Sequence, residues 1–312
     1  MENMLVAQKT DSLASINKIK ARAKVFSMIR QFFETRHILE VDTPLLYHST
    51  VTDPHLEGIE VPLFGWLQTS PEYAMKRLLA AGSGDIYQLG KAFRKDESGP
   101  LHHYEFTLLE WYRLGYDHFQ LMDEVYDFLT IFFPTMPHTR ISYQEVFEKF
   151  CNINPLKTTP AELQEVLSKN KISFVGELTK NLALDLLFST CIEPQLKDIM
   201  FIYHYPADFA ALAKLNPNDP NTAERFEVFV NGIELANGYH ELQDHDAQLL
   251  RFKKDNQQRK MLGRPKKPLD DIFLKALKTQ GLPPCAGVAL GVDRLMKIYY
   301  GAGNIREGML CL

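Results

Sequence analysis

Between Asp85 and Arg113 the chain reads DIYQLGKAFRKDESGPLHHYEFTLLEWYR, and this stretch constrains the fold more than any other. Ile86 to Phe93 is strand-like, and Glu105 to Tyr112 alternates with period two and is rich in β-formers. Between them lies a polar loop with Arg94, Lys95, Asp96, Glu97, Gly99, Pro100, His102 and His103. The pattern predicts an antiparallel strand pair joined by a long charged loop, a length that compact domains keep for function or leave disordered. Phe106, Leu108, Glu110 and Tyr112 share one strand face. A carboxylate on such an apolar face is costly without a cationic partner. Two readings follow. One is a hairpin with a solvated tip and a paired strand carboxylate. In the other, the Arg94 fork holds a carboxylate and a phosphate together, while Glu110 and Tyr112 hold an ammonium group.

A second stretch, AERFEVFVNGIELANGYHEL from Ala223 to Leu242, carries Asn231-Gly232 between two strand-like runs. That dipeptide signals a two-residue type I′ hairpin turn. Counting outward pairs Val230 with Ile233, Phe229 with Glu234 and Glu227 with Ala236. Glu227 and Glu234 then lie on one face as diagonal neighbours. They either share a divalent cation or belong to a simply acidic, wet face. Glu241 falls seven residues past Glu234 and needs a parity reset to join that face, which a bulge at Asn237-Gly238 would supply.

The third stretch is PCAGVALGVDRLM, Pro284 to Met296. Ala286, Gly287, Ala289 and Gly291 make a strand with little side-chain bulk, which a flat ligand can approach closely. A helix follows at once. Arg294 in its first turn opposes the helix dipole, so an anion there would help explain it. The layout is neither GxGxxG nor a P-loop.

Around these stretches the chain alternates helices with short extended segments. Ser12 to Arg36 has amphipathic helical spacing, and Ile38 to Thr43 is extended up to Pro44. Ser70 and Pro71 predict a helix start, with Ser70 as N-cap and Pro71 at the first helical position. Glu72 there either complements the dipole or binds an amino group. Tyr116 to Phe133 reads as a helix, and about 137–197 as an insertion of short helices. A helix from His245 ends near Gly263 in a basic cluster (Lys253, Lys254, Arg259, Lys260, Arg264, Lys266, Lys267). That cluster is either a solvated face or a dock for an acidic partner. Net charge is −4, which gives no bulk nucleic-acid-binding field. No apolar run reaches a membrane span. The four cysteines show no zinc or CxxC spacing, as expected of free thiols in a reducing cytosol.

In this order the three stretches resemble the motifs of class II aminoacyl-tRNA synthetase catalytic domains of the lysyl type. FRKDESGPLHHYEFTLLEWY resembles the second motif and GVALGVDRL the third. The helix and extended segment ending at Pro44 resemble the first, dimer-forming motif. ERFEVFVNGIELANGYHEL is similar to the lysyl subgroup's ATP, magnesium and lysine segment. The likeness covers about residues 12–306. It implies an α+β fold, an antiparallel sheet flanked by helices, as a single catalytic domain over 1–312. Only about a dozen residues precede the first helix, so no anticodon-binding domain is expected. That, with Ala289 where lysyl-tRNA synthetases carry Gly, makes the stand-alone elongation factor P–(R)-β-lysine ligases the nearest resemblance.

The resemblance implies ATP and Mg2+, β-lysine or lysine as substrate, elongation factor P as acceptor protein, no stable tRNA binding, a homodimer and a cytoplasmic location. It also implies roles. Ser70, Pro71 and Glu72 bind substrate, with Ser70 and Glu72 at its amine. Arg94 bridges the substrate carboxylate and the α-phosphate. Glu227 and Glu234 hold magnesium, with Leu235 near the nucleotide. Tyr112 and Glu241, supported by Glu110, grip the side-chain ammonium beside Ala289. Gly291 and Arg294 face ATP. Lys95, Asp96 and His103 stand at ATP contacts, but the family's Arg-x-Glu is Arg94-Lys95-Asp96 here and its His-Asn is His102-His103. The closing REGMLCL departs from the family's usual end. Three alternatives remain: a tRNA-charging enzyme without its anticodon domain, an asparagine synthetase A-type ligase, and a non-catalytic paralogue. Glu241 and Tyr112 disfavour an acidic ligand, and intact Arg94, Glu227, Glu234 and Arg294 disfavour a dead paralogue.

Overall fold

The computed structural model describes residues 2–95, 98–174, 176 and 178–309, with side chains from residue 16 onward. In chain order, α1 (Glu2–Glu34) leads to β1 (Leu39–Glu40), β2 (Leu46–Tyr47), β3 (Glu60–Val61) and β4 (Gly65–Leu67). Then come α2 (Glu72–Ala80), β5 (Ile86–Phe93), β6 (Glu105–Leu114), α3 (His118–Thr130) and β7 (His138–Ser142). Helices α4 (Tyr143–Cys151), α5 (Pro160–Lys169) and α6 (Lys180–Leu187) precede β8 (Ile199–Pro206) and β9 (Leu215–Asn216). The chain ends through β10 (Asp219–Val230), β11 (Ile233–His240), α7 (His245–Met261), α8 (Asp271–Thr279), β12 (Cys285–Gly291) and α9 (Val292–Tyr300). This is the expected α+β class. Two compact units result: Met1–Trp111 with Phe252–Gln280 and Gly291–Leu312, and Tyr112–Arg251 with Gly281–Leu290.

In the first unit β1 pairs parallel with β5, and β6 lies on β5's other side. The apolar stripe of α1 explains its seat, with Val25, Ile29 and Phe33 fully buried. The Phe33 ring stacks on Tyr87 at 4.2 Å and meets Trp111 edge-on at 5.4 Å. Arg22 fixes α1 further along: it donates to Asp293 at 2.7 Å and to the Thr107 hydroxyl at 2.6 Å. The second Asp293 oxygen accepts from the Thr107 N–H at 2.6 Å. Charge-assisted bonds of this kind are roughly twice as strong as neutral ones, so α1, β6 and α9 are tied through one buried carboxylate. The start of α2 differs from the sequence expectation. Pro71 is the N-cap, no side chain caps the helix, and Ser70 lies one residue outside. The Glu72 carboxylate turns instead to Lys76, one turn on, at 2.7 Å.

In the second unit the strand order is β12-β11-β10-β8-β7, antiparallel except for the parallel β7–β8 edge. Asn231 and Gly232 have φ of 50° and 77°, as the I′ turn requires. The segment read as an all-helical insertion begins instead with strand β7; its Thr139-Arg140-Ile141 run has too few residues for a helical period to be distinguished from a strand. Helices α4, α5 and α6 follow and pack Phe147, Leu163, Leu167, Leu184 and Leu187 into one core with Met200, Ile202 and Phe229 of the sheet. Ser142 and Thr159 each form a capping box at the starts of α4 and α5. Cys151, Cys191 and Cys285 are free thiols.

Candidate functional site

The two units carry separate sets of the predicted residues. In the first unit, Arg94 leaves β5 where the strand pairing ends. Its guanidinium lies over the Phe106 ring at 5.0 Å, and its Nε donates to the Thr69 carbonyl at 3.4 Å. Thr69 immediately precedes Ser70, so the guanidinium stands beside the 70–72 segment. Lys95 is exposed, and its N–H donates to the Glu57 carbonyl at 2.9 Å. Asp96 lies outside the described residues. His103 turns back to its own loop, its Nδ1 2.8 Å from the Glu105 carbonyl. Its neighbour His102, not singled out as a contact, meets Arg294 at 2.7 Å, and Arg294 also donates to the Leu101 carbonyl at 3.2 Å. The charged loop and the first turn of α9 are thereby joined. Glu110 is 2% exposed, so β6 does carry a buried carboxylate. A Cβ built on Gly291 would touch only the stem of Arg294, at 3.7 Å. Packing within the chain does not demand a glycine there, and the bare backbone is open to the close approach of a flat ligand.

In the second unit, register decides what the carboxylates can do. Val230 faces Ile233 and Phe229 faces Glu234, as counted from the turn. The register then shifts, with Val228 opposite Ala236 and Glu227 opposite Asn237 rather than Ala236. The bulge is at Leu235, and Asn237-Gly238, expected to carry it, pair regularly. The extra residue turns Asn237, Tyr239 and Glu241 to the face that holds Glu234 and Glu227. Glu227 accepts from Arg225 at 2.5 Å and from the Tyr205 hydroxyl at 2.6 Å. Burial pushes its carboxyl above the usual range, and the charge of Glu234 adds to this while Arg225 and Tyr205 oppose it. A carboxylate has about four lone-pair sites, so two remain, and a divalent cation would relieve the Glu227–Glu234 repulsion. The pair fits a magnesium site.

The ammonium-binding candidates meet around a glycine. A Cβ at Gly287 would fall 2.3 Å from Tyr112 Cε1 and 2.7 Å from Glu241 Oε1. Ring and carboxylate therefore press on the bare backbone of β12, and both residues are almost fully buried. A carboxylate beside an aromatic face suits a desolvated cation. Ala289, partly exposed, pairs with Asn237 on the neighbouring strand. Sequence reasoning did not assign Gly287 or Arg225 a place in the site. The small residue on β12 and the Arg-x-Glu alternation on β10 were the available signals.

Comparison with known proteins follows the same line. The family model for class II tRNA synthetases (D, K and N) matches residues 6–310. The chain belongs to this family. An elongation factor P–(R)-β-lysine ligase of Vibrio vulnificus (strain YJ016) is 47% identical over 307 residues, 94% of this chain and 95% of that protein. The ligase of the same name from Vibrio cholerae is also 47% identical, over 94% of both chains, and that from Hamiltonella defensa 46% over 95% of both. Within the wider family, the chain belongs with these ligases.

Proposed function

We propose that this chain activates (R)-β-lysine with ATP and transfers the β-lysyl group to a lysine side chain of elongation factor P. The observation that carries the site reading is the buried Tyr112–Glu241 pair on Gly287, a cation-selective wall. In this reading Arg94 holds the substrate carboxylate against the α-phosphate, and Ser70 and Glu72 bind the other amine. The carboxylate oxygen attacks phosphorus in line and pyrophosphate leaves, its charge stabilised by Arg294. Glu227 and Glu234 hold Mg2+, which neutralises phosphate charge, with Leu235 and Gly291 against the nucleotide. In the second step the neutral acceptor amine attacks the acyl carbonyl of the adenylate, AMP departs, and an amide forms. Transfer therefore slows as pH falls below the acceptor lysine's effective pKa.

A protein acceptor suits the charge distribution better than tRNA, whose binding rests on neutralised phosphates. Net charge is −4. Of the basic cluster, Arg259, Arg264 and Lys267 are engaged with Glu57, and Lys253, Lys254, Lys260 and Lys266 are exposed to solvent. Among the described residues no helix is long and apolar enough to cross a membrane. The test is pyrophosphate exchange with a panel of lysine isomers, followed by mass measurement of elongation factor P and assay of total tRNA. Exchange with (R)-β-lysine and a mass gain of one β-lysyl group on the protein are expected. Stable tRNA aminoacylation at a matching rate would overturn the acceptor assignment.

A further inference from the structure

On the opposite face of the second unit's sheet lies a histidine cluster outside the proposed chemistry. His240 sits between Tyr239 and Glu241 on β11, so its side chain points away from the ammonium pair. There its Nδ1 meets Glu224 Oε2 at 2.6 Å. His118, the first residue of α3, comes down on the same spot and is 2% exposed. One ligand atom from each of His118, Glu224 and His240 falls within 4.8 Å of the others.

A fourth group is brought in by backbone distortion. The pairing of β8 with β10 shifts between Ala223 and Phe226, and His204 there has φ 56°. That left-handed conformation is uncommon for a non-glycine residue, and such outliers cluster at functional sites. It lets consecutive residues Tyr203 and His204 both reach Phe119 of α3. His204 Nε2 stands 3.2 Å from His118 Nε2. Two ligand atoms on a zinc tetrahedron with bonds of ~2.0–2.1 Å are about 3.3 Å apart, so this imidazole pair already has the edge length of such a site. The other ring nitrogen of His118, Nδ1, is buried with no hydrogen-bond partner. A structural pair of neutral histidines would need neither the strained backbone nor the third imidazole and carboxylate.

We propose that His118, Glu224 and His240, with His204 as fourth ligand, bind a divalent transition metal of the zinc type, which pins α3 to the sheet behind the ammonium pair. The imidazole-and-carboxylate set selects such an ion over magnesium, whose preferred ligands are oxygens.

The test uses the full chain without a histidine tag, stripped with chelator and titrated with Zn2+ by calorimetry and with Co2+ by visible absorption. We expect one equivalent of Zn2+, intense tetrahedral Co2+ bands and a Tm raised by zinc. His118→Asn and Glu224→Gln should each weaken Zn2+ binding at least a hundredfold, while Glu241→Gln should leave it unchanged. Glu224→Gln, at a less buried position, serves if His118→Asn does not fold. Absence of stoichiometric zinc binding to the folded wild type, or binding that survives in the folded variants, would overturn the site.

Discussion

At the scale of single residues, the proposed chemistry turns on carboxylates held where water is scarce. Glu241 is 1% exposed and shares the Gly287 backbone with the Tyr112 ring. Glu241→Gln leaves the substrate ammonium opposite a neutral amide, and breaking a buried ion pair costs about 3–5 kcal/mol. That corresponds to a loss in kcat/KM for β-lysine of about a hundred- to several-thousand-fold, with ATP affinity little changed. Steady-state pyrophosphate exchange checks it, and a variant within twofold of wild type rejects the assignment. Gly287→Ala tests the same pair by sterics, since the added methyl would overlap the Tyr112 ring and the carboxylate, so KM for β-lysine should rise while the fold persists. Glu227 makes a pH prediction. Burial raises its carboxyl pKa, and the cation needs the carboxylate form. Activity should therefore fall on the acid side at a pH above that of an ordinary carboxylate, and raising Mg2+ should move this limb to lower pH. In Glu234→Gln the limb should shift down, because a neighbouring charge that raises the Glu227 pKa is gone. An acid limb unmoved by either change would count against the shared cation.

At the scale of elements, the loop that carries Glu57, between β2 and β3, is tied to the last turn of α7 and to the segment that follows it. Glu57 accepts from the fully buried Arg259 and from Lys267 at 3.0 Å. Arg259 also donates to the Asp53 and Pro265 carbonyls, both at 2.8 Å. Desolvation works to raise the Glu57 pKa, but Lys267 and Arg259 outweigh it and hold it below its usual value. With the folded pKa depressed, its stabilisation is present above the unfolded pKa of about 4.3 and is lost as pH falls through the folded value. Glu57→Gln leaves a buried guanidinium partly compensated and should cost about 3–5 kcal/mol near neutral pH. Urea melts should show this, with the gap to wild type narrowing in acid. A gap independent of pH would mean the carboxylate charge does not matter. This knot also marks a limit of the sequence. Lys and Arg at helical spacing read alike whether solvated or buried, because the partner, Glu57, is some 200 positions away. Locally encoded features were legible: the Asn231-Gly232 turn, the paired carboxylates and the small-residue strand before α9. The need to reset parity before Glu241 could be counted, but its location could not. A bulge is decided by both strands, and Asn-Gly at 237–238 offered a stronger local signal than Leu235. β7 was missed because so short a strand shows no period that separates it from a helix, and Ser70 was misplaced by one residue because Pro71 fits either the cap or the first turn.

At the scale of the molecule, the first unit carries more exposed apolar surface than a soluble monomer needs. Ile16 and Ile19 on α1 are 45% exposed, Leu39 on β1 is 56%, and Leu63 and Phe64 at the β3–β4 turn are 101% and 63%. Leu45 and Leu46 add to the same stretch of sequence. Scattered single apolar residues need no explanation, and Met261, Leu262 and Ile272 are exposed elsewhere in this unit, but the group on α1 and the segments up to β4 is the largest run along the sequence and is what a covered face would need. Of these, α1 and the extended segment ending at Pro44 are the part that resembles the family's dimer-forming motif. A twofold, isologous interface would bury each such residue against the same surface of its copy. We expect light scattering at micromolar concentration to give twice the 35.9 kDa of one chain. Ile19→Glu combined with Leu39→Glu places charge where a dimer would exclude water, and like charges would face each other across the axis. That variant should dissociate while keeping the far-UV spectrum of a folded chain, since both side chains are exposed within the protomer. Arg22 and Phe33, on the buried side of α1, are left untouched, so lost activity in a folded monomeric variant would link dimerisation to the integrity of the β5–β6 site. A wild type that runs as a monomer, or a charged variant that remains a dimer, would rule this interface out.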